Sequence, residues 1–486
     1  MNKKLYLLPI ISFLLTLACK EKNPEPIDKT DPTEEPKEEN PILANSPVNN
    51  WIYSSMKSYY YWEKEMVDLS QTDLAIEPDS YFKSLLFEQG ETDRFSVMYA
   101  SADALTNSLN GLNSIFGFSY KPFYADVART RITFSISNSL KNSAAERLEI
   151  KRGDFITKVN GETITVDNYG TILKDLETAT LTMGVYVGQE VVDSKKTLEI
   201  TKELTQTKAV QHYEIINIGG KKVGYFAYNQ FLTSSDKDVN QAFGEFKSQG
   251  IDELVVDFRY NPGGYISSAE IISSLIVKDI NTSNLMTRQV WNEEQMASKP
   301  ASSFETYFST SNSSAGGTLN TLETLDRVYF LVSNGTASAS EMVINNLKPY
   351  MEVILVGEHT YGKNVGSITI KDTQEPKRWE WGMQPIVLKT FNAAGESDYG
   401  TKEGFAVDIE VQDAILPYKA FGDPDETLLY AALSDILGSD TMARIRSKAK
   451  KTPTGTFQAV SPEATYGSEI LDRKEMWLTE FPWENK

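Results

Sequence analysis

The chain has 486 residues, of which 40% are hydrophobic and 11% aromatic, and its net charge at pH 7 is -19. This length exceeds one ordinary core at roughly 100–200 residues per domain, so we expect three domains. The negative charge argues against nucleic acid as a partner, and a single cysteine excludes internal disulfides and cysteine-rich metal sites.

The amino terminus has the pattern of a secretory signal. Residues 1–18 join Lys3 and Lys4 to the apolar stretch "LYLLPIISFLLTLA", which is too short for a comfortable membrane span. Cys19 follows directly, and the arrangement resembles the lipobox of bacterial lipoproteins, with Thr16 where leucine is preferred. The resemblance implies acylation of Cys19 and a lipid-anchored protein of the bacterial cell envelope, on the periplasmic side or at the cell surface. An ordinary signal with an unmodified cysteine is the alternative.

Three regions of different composition follow. Residues 19–46 are rich in Pro, Glu and Lys and nearly free of apolar residues, which predicts a disordered, extended tether. Residues 47–108 show aromatic and apolar positions at helical spacing, which predicts a small helical domain. Residues 109–207 hold short β-like runs around one short helix at "NSAAERLEI", which predicts a β-rich domain.

The segment "NSAAERLEIKRGDFITKVNGETITVDNY" resembles a PDZ domain, in which a helix, a tight turn through Gly153 and Asp154 and a "VNG" hairpin follow one another. PDZ domains bind an extended carboxy terminus as an added strand. The resemblance implies that the loop at "SIFGF" holds the peptide carboxylate, with Gly117 and Phe118 as the binding residues. A β-rich domain without a ligand is the alternative.

Residues 208–437 alternate strands with helices, which predicts an α/β core with a mostly parallel sheet. Strands are predicted in "KVGYFAYNQF", "ELVVDFRY", "RVYFLVSN" and "EVILVGE". Helices are predicted in "DKDVNQAFGEFKSQG", which stops at Gly250, in "YISSAEIISSLIV", and in "SEMVINNLKPY", which Pro349 ends. The polar residues 281–324 interrupt this alternation and are interpreted as a lid or substrate-facing insert. For the tail, residues 438–486, packing on the core and packing on a partner are both open.

Two turns between a strand and a helix carry the candidate chemistry. In "VVDFRYNPGGY", Gly263 and Gly264 leave backbone N–H groups open to a ligand. In "FLVSNGTASASEM", Ser338 begins a helix and Ala339 follows it. Ligands of open α/β sheets lie beyond the carboxyl ends of the strands, so both turns are expected to face one crevice. There Ser338 is a candidate nucleophile, with N–H groups of the glycine turn and of Ala339 as donors to an oxyanion.

The same serine also fits a structural role, because "SASE" matches a capping box in which Ser338 accepts the N–H of Glu341 and the glutamate reaches back. A nucleophile needs a base, and the chain has only two histidines. His212 is interpreted as structural, and His359 in "GEHTYGK" has no obvious carboxylate to orient it. Lys363 is the stronger candidate, provided that burial lowers its pKa from about 10.4 toward about 7–8.

No motif points to a cofactor. The Gly–Lys pair in "TYGKN" lacks the G-x-x-x-x-G-K-[ST] pattern of a phosphate loop, and the sequence contains no H-E-x-x-H. We therefore expect neither a cofactor nor a metal site.

In combination, "DFRYNPGG", "TASASEM" and "GEHTYGKNVGS", preceded by the PDZ-like segment, resemble the carboxy-terminal processing (tail-specific) serine peptidases over about residues 109–412. The resemblance implies a crotonase-like core and an acyl-enzyme mechanism, with Ser338 as the nucleophile and Lys363 as the general base of a Ser/Lys dyad. It also implies an oxyanion hole formed by backbone amides of the glycine turn and of Ala339.

The sequence departs from the family pattern at three positions. Thr336 replaces the first serine of the motif, and Val407 stands where proline is usual. Many members carry a glutamine that orients the lysine, and here Ser367 occupies that position, where its hydroxyl can make one hydrogen bond instead. The implied function is an endopeptidase that cleaves envelope or secreted proteins near a free carboxy terminus. Two rivals stay open: a catalytically silent binder of peptide tails, and a peptidase that uses His359 as its base.

Overall fold

The protein was analysed as a computed structural model that describes three stretches of the chain, residues 45–448, 453–460 and 475–483. The predicted signal, the lipidation site Cys19 and all but the last two residues of the predicted tether lie outside the described residues. Within the described stretches, no helix combines the length and the apolar character that crossing a membrane requires.

The described residues contain α-helices of between four and fourteen residues, half of them in the α/β core of residues 208–437. They are α1 (Ser46–Tyr59), α2 (Pro78–Ser84), α3 (Ala102–Leu109), α4 (Ala144–Arg147), α5 (Asp236–Gln249), α6 (Ile266–Ile276), α7 (Glu293–Ser298), α8 (Ala339–Leu347), α9 (Thr427–Leu437) and α10 (Ser439–Lys448). 

The strands before the core are β1 (Val97–Tyr99), β2 (Leu112–Ile115), β3 (Phe118–Tyr124), β4 (Ile132–Ser139), β5 (Phe155–Val159), β6 (Glu162–Thr163), β7 (Thr178–Val187), β8 (Glu190–Thr201) and β9 (Glu203–Gln206). Those of the core and the tail are β10 (Val210–Ile218), β11 (Lys221–Tyr228), β12 (Glu253–Asp257), β13 (Gly263–Tyr265), β14 (Leu285–Trp291), β15 (Glu305–Tyr307), β16 (Ser311–Asn312), β17 (Gly317–Thr318), β18 (Arg327–Val332), β19 (Glu352–Gly357), β20 (Val365–Ile368), β21 (Ile370–Lys371), β22 (Gly382–Gln384), β23 (Ile386–Asn392), β24 (Ile409–Glu410), β25 (Ile415–Leu416), β26 (Gly455–Thr456) and β27 (Glu475–Leu478).

The first core sheet has the order β10-β11-β12-β18-β19-β24, and all its neighbours are parallel except β10 and β11. Its interior strands are almost wholly apolar because helices cover both faces. Phe243 of α5, Ile272 of α6 and Val343 of α8 pack on one face, and Leu429 of α9 packs on the other. Helix α5 stops at Gly250 in the left-handed conformation, which confirms the predicted stop.

The core contains a second sheet that the sequence did not predict, so the expectation of one mostly parallel sheet is wrong. Its order is β13-β27-β20-β23-β14-β15. Strands β13, β27 and β20 are parallel, whereas β20, β23, β14 and β15 follow one another in antiparallel pairs. The core is therefore a mixed α/β structure with two sheets, and α8 contacts strands of both.

The interpretation of residues 281–324 as a polar lid is wrong. This segment contributes β14 and α7, and it buries Met286 and Trp291 in the main hydrophobic core. The sequence of β14 did not indicate a core strand because two of its buried residues, Thr287 and Gln289, are polar. The Thr287 hydroxyl donates a hydrogen bond to a backbone carbonyl of β23 at 3.1 Å. A core strand can therefore read as a polar segment when its buried polar side chains have hydrogen-bond partners.

The β-rich region forms a separate antiparallel sheet of order β3-β4-β5-β7-β8, with β6 beside β5. The short helix expected in "NSAAERLEI" is α4, and Ser143 caps it by accepting the N–H of Glu146 at 3.3 Å. The amino-terminal helices α1 and α2 pack against the core, since their residues Ile52 and Phe82 lie in one hydrophobic cluster with Met383 of the core.

Candidate active site

The two strand-to-helix turns contact each other directly. Strands β12 and β18 are parallel neighbours, so both turns leave the same edge of the sheet. The N–H of Ala337 donates to the carbonyl of Asn261 at 3.1 Å, and the Ser340 Oγ donates to the same carbonyl at 3.0 Å. These bonds fix the start of α8 against the glycine turn.

Ser338 stands at the start of α8 in a strained conformation. Its φ is 65° and its ψ is -113°, whereas an ordinary capping residue has a negative φ in the β region. Such a backbone in a residue other than glycine costs about 1–3 kcal/mol and is typical of functional sites. Ser338 and Glu341 are arranged as in a capping box, yet the Ser338 Oγ is buried and has no hydrogen-bond partner among the described residues. Capping alone does not account for this hydroxyl.

Lys363 lies just before β20 and is only 1% exposed. Its Nζ is 4.6 Å from the centre of the Phe95 ring. Burial favours the neutral amine that a base requires, because a buried ammonium loses its hydration, while the aromatic face favours the ammonium. Phe95 belongs to the amino-terminal region, which therefore supplies one wall of the site.

Glu341 joins the serine to the lysine. Its Oε2 accepts the N–H of Ser338 at 2.7 Å and the N–H of Lys363 at 2.9 Å. Its Oε1 accepts the Thr360 Oγ1 at 2.6 Å and the N–H of Gly362 at 2.7 Å. Burial raises the pKa of Glu341 to about 7, while the four hydrogen bonds act in the opposite direction. One carboxylate oxygen thus sets the separation of the two candidate catalytic residues.

Two parts of the chain match models of one protein family. The model of peptidase family S41 matches residues 222–411, and the model of the peptidase S41 N-terminal domain matches residues 47–97. The first of these matches contains both turns, Ser338 and Lys363. These two parts of the chain are therefore similar to peptidase family S41.

Proteins similar to this chain occur among curated proteins and solved structures. A "Probable CtpA-like serine protease" of Staphylococcus aureus is 27% identical over 248 residues, which are 50% of this chain and 45% of the relative. A protein of the same name in Staphylococcus epidermidis is 22% identical over 329 residues, 67% of this chain and 58% of the relative. The chain thus spans about half the length of the curated relatives it matches. A crystal structure of a "Putative S41 protease" from Bacteroides fragilis is 27% identical, with a TM-score of 0.66 over 80% of this chain and 97% of that one.

The three predicted oxyanion donors of the core are not equivalent. The N–H of Gly263 already donates to the Asn261 Oδ1 at 3.0 Å. Gly264 is aligned with Met476 of β27 in the second sheet. Ala339 is the first residue of α8, so its N–H is one of those that a helix leaves without an intrahelical partner. The N–H of Ala339 thus has no intrahelical partner, and the N–H of Gly264 lies at the edge of β13 where β27 pairs.

The other predicted site residues lie at different depths. Ser367 is buried in β20, and its Oγ donates to the carbonyl of Met476 at 3.4 Å. The His359 ring is exposed, with Nδ1 2.8 Å from the carbonyl of Thr360, whereas both Ser338 and Lys363 are buried. This placement does not favour a histidine base. 

In the loop before β3 of the β-rich region, Gly117 has a φ of 90°, and a Cβ there would lie 2.1 Å from the Cβ of Ser143, so the loop requires glycine. Phe118 begins β3, and its side chain is buried beside Phe116 and Tyr120 in the core of that sheet. Gly117 therefore shapes the loop, and Phe118 anchors it from within.

A buried charge cluster under the glycine turn was missed by the sequence reasoning. Arg259 contacts the Glu426 Oε1 at 2.5 Å and the Asp257 Oδ2 at 2.9 Å. Arg152 of the β-rich region contacts the same Glu426 oxygen at 3.1 Å. Although burial alone raises the pKa of Glu426, the two guanidinium groups hold that pKa well below its usual range. The cluster ties the β-rich region to the turn that carries Gly264.

The described residues near this site include no set of metal ligands. Across the described stretches of the chain, no three His, Cys, Asp or Glu side chains are placed to hold one ion. The carboxylate nearest the chemistry, Glu341, has all its hydrogen bonds from protein donors.

Proposed function

We propose that this chain is a serine endopeptidase whose Ser338 and Lys363 form a catalytic dyad. One observation carries the proposal: a single oxygen of Glu341 accepts the backbone N–H groups of both residues, beside a strained serine whose Oγ has no partner among the described residues. Capping of α8 by the Glu341 carboxylate does not require the hydrogen bond that it also accepts from the N–H of Lys363.

The chemistry follows from these positions. The neutral amine of Lys363 takes the hydroxyl proton of Ser338 as its Oγ attacks the carbonyl carbon of the scissile bond. The N–H groups of Gly264 and Ala339 hold the oxyanion, and Lys363 returns the proton to the leaving amine as the C–N bond breaks. Lys363 then takes a proton from water as the water oxygen attacks the ester carbon. The ester C–O bond breaks as Lys363 returns this proton to the Ser338 Oγ, and the carboxylic acid product leaves.

The substrate and the location belong to the same proposal. The PDZ-like sheet binds the free carboxy terminus of an envelope or secreted protein at the loop of Gly117 and Phe118, and the chain is cut near that terminus. Acylated Cys19 anchors the enzyme in the bacterial envelope. A Cys19→Ser variant should leave the membrane fraction, and its retention there would contradict the anchor.

The test is the rate of hydrolysis of a denatured protein substrate as a function of pH. Because the base must be neutral, the rate should rise between about pH 5 and about pH 9. Ser338→Ala should abolish hydrolysis, whereas Ser434→Ala, a change in α9 where the serine hydroxyl bonds only within its own helix, should retain it. A flat pH profile would contradict the lysine base. Binding of peptide tails without any turnover would favour the silent binder instead.

A further inference from the structure

The described end of the chain lies inside the candidate active site. Strand β27 is inserted between β13 and β20 and runs parallel to both. Strand β13 contains Gly263 and Gly264, and β20 begins two residues after Lys363. The protein thus places its own extended segment between the two stretches of backbone that carry the proposed chemistry.

The backbone of β27 faces a group that catalysis needs. On one side of β13, the N–H of Phe231 donates to the carbonyl of Gly263, and the N–H of Tyr265 donates to the carbonyl of Phe231, both at 2.9 Å. Successive N–H groups of a strand point to opposite edges, so the N–H of Gly264 points to the other side, where β27 pairs. The tail occupies the edge at which the proposed oxyanion donor is presented.

The side chains of β27 are buried between the strands that precede and follow the candidate site residues. Met476 is fully buried, and the Trp477 ring lies 4.9 Å from the ring of Tyr265. The Ser367 Oγ is bonded to the carbonyl of Met476 at 3.4 Å, and Ser338 itself is fully buried. A peptide that is to pair with the edge of β13 at Gly264 can do so only when this strand is displaced.

A second part of the tail occupies the edge of the PDZ-like sheet. The N–H of Tyr124 donates to the carbonyl of Gln458 at 3.1 Å, and the N–H of Val460 donates to the carbonyl of Pro122 at 3.0 Å. This segment runs antiparallel to β3, the edge strand that starts directly after Gly117. Peptides add as strands at such edges. The tail therefore lies at both places where a substrate peptide is proposed to bind.

We propose that the tail is an internal peptide and that residues 475–478, termed the plug, block the active site until a substrate displaces them. The inference rests on the proposed function. A substrate then binds as an extended strand parallel to β13 and β20, with large apolar side chains in the places of Met476 and Trp477. Because the same tail covers the β3 edge, a carboxy terminus bound at that edge competes with the tail there as well.

A reversible lock on the plug tests this inference. Ile368 of β20 and Leu478 of the plug are direct partners, and neighbouring strands lie about 4.8 Å apart, within the reach of a disulfide. The Ile368→Cys/Leu478→Cys protein is prepared with Cys19→Ser, so that no other thiol is present. A matched control joins Val290 and Lys389, partners in the same sheet that do not contact the plug, through the same double change to cysteine.

Two readouts are needed. The first is the rate at which a fluorophosphonate labels the protein. The second is the binding of a fluorescein-labelled peptide of sequence EMWLTEFPW, residues 475–483, to the same variants carrying Ser338→Ala. Oxidation of the Ile368/Leu478 pair should lower labelling and binding at least ten-fold, and reduction should restore both. The control pair should show no change.

The outcomes separate the two proposals. Equal labelling and equal peptide binding in the oxidised and reduced states would overturn the plug while leaving the peptidase intact. Redox-dependent binding without labelling in either state would support the plug and contradict the proposed function. A third variant, Trp477→Ala, removes the largest buried side chain of the plug and should label at least ten-fold faster than the parent. Slower or unchanged labelling of a folded Trp477→Ala protein would also count against the plug.

Discussion

Glu341→Gln is the most informative single substitution in this molecule. It keeps the shape of the side chain and replaces one acceptor oxygen by an NH2 group. All four partners of the carboxylate are donors, so two of them must face that NH2 group and lose their hydrogen bonds. At about 1.5–3 kcal/mol for each bond to a charged group, the free energy of unfolding should fall by about 3–6 kcal/mol. With the lysine segment no longer tied to the serine, kcat should fall about 100-fold, the effect of a misplacement of about 1 Å.

The assay compares urea unfolding with kcat at a temperature where each variant is folded. Glu253→Gln is the control, because Glu253 is a buried carboxylate of the same core paired with Arg327 and Lys221, away from the site. It should lose stability but keep kcat. In the folded parent the pKa of Glu341 is raised from 4.5 to about 7, so this group's contribution to stability should decline as the pH rises through that interval, and Glu341→Gln should lack the slope. A folded Glu341→Gln enzyme with kcat within two-fold of the parent would refute the positioning role.

Three further substitutions test the surroundings of the site. Phe95→Leu removes the ring that favours the ammonium form of Lys363. The pH at which the rate of hydrolysis rises should therefore fall by about 0.4–1.5 units. The control is Phe391→Leu, beside Lys389, which should leave the pH profile of the rate unchanged. His359→Ala should keep kcat within about two-fold, and a loss of activity would revive the histidine base. Arg152→Met leaves a buried carboxylate short of one cation and should lower the free energy of unfolding by about 3–5 kcal/mol in urea titration, an expectation that an unchanged midpoint would contradict.

Much of the first core sheet could be predicted from the sequence, because its elements carry their own signals. The apolar runs of β12 and β18 are buried between helices, and the glycine stop of α5 is local chemistry. The position of Ser338 at the start of α8 is equally local, since small residues, a serine and a glutamate mark a helix start. The meeting of the two turns followed from the parallel order of their strands.

The remainder depends on contacts between distant parts of the chain. Glu341 was recognisable as a capping partner of Ser338, but its bond to Lys363 exists only once β19 has brought that segment back. Arg152 and Glu426 come from different regions and meet only in the folded core. The plug has no signal of its own, because a four-residue strand becomes visible only between the strands that accept it.

The central claim is that Ser338 is a nucleophile activated by Lys363, and intact mass after fluorophosphonate treatment tests it most directly. The account predicts one adduct, mapped to Ser338 by peptide mass, on the parent and on Trp477→Ala. The adduct should be lost in Ser338→Ala and in Lys363→Ala and kept in Ser434→Ala, a change in α9. An adduct on another residue, or none on either the parent or Trp477→Ala, would contradict the claim.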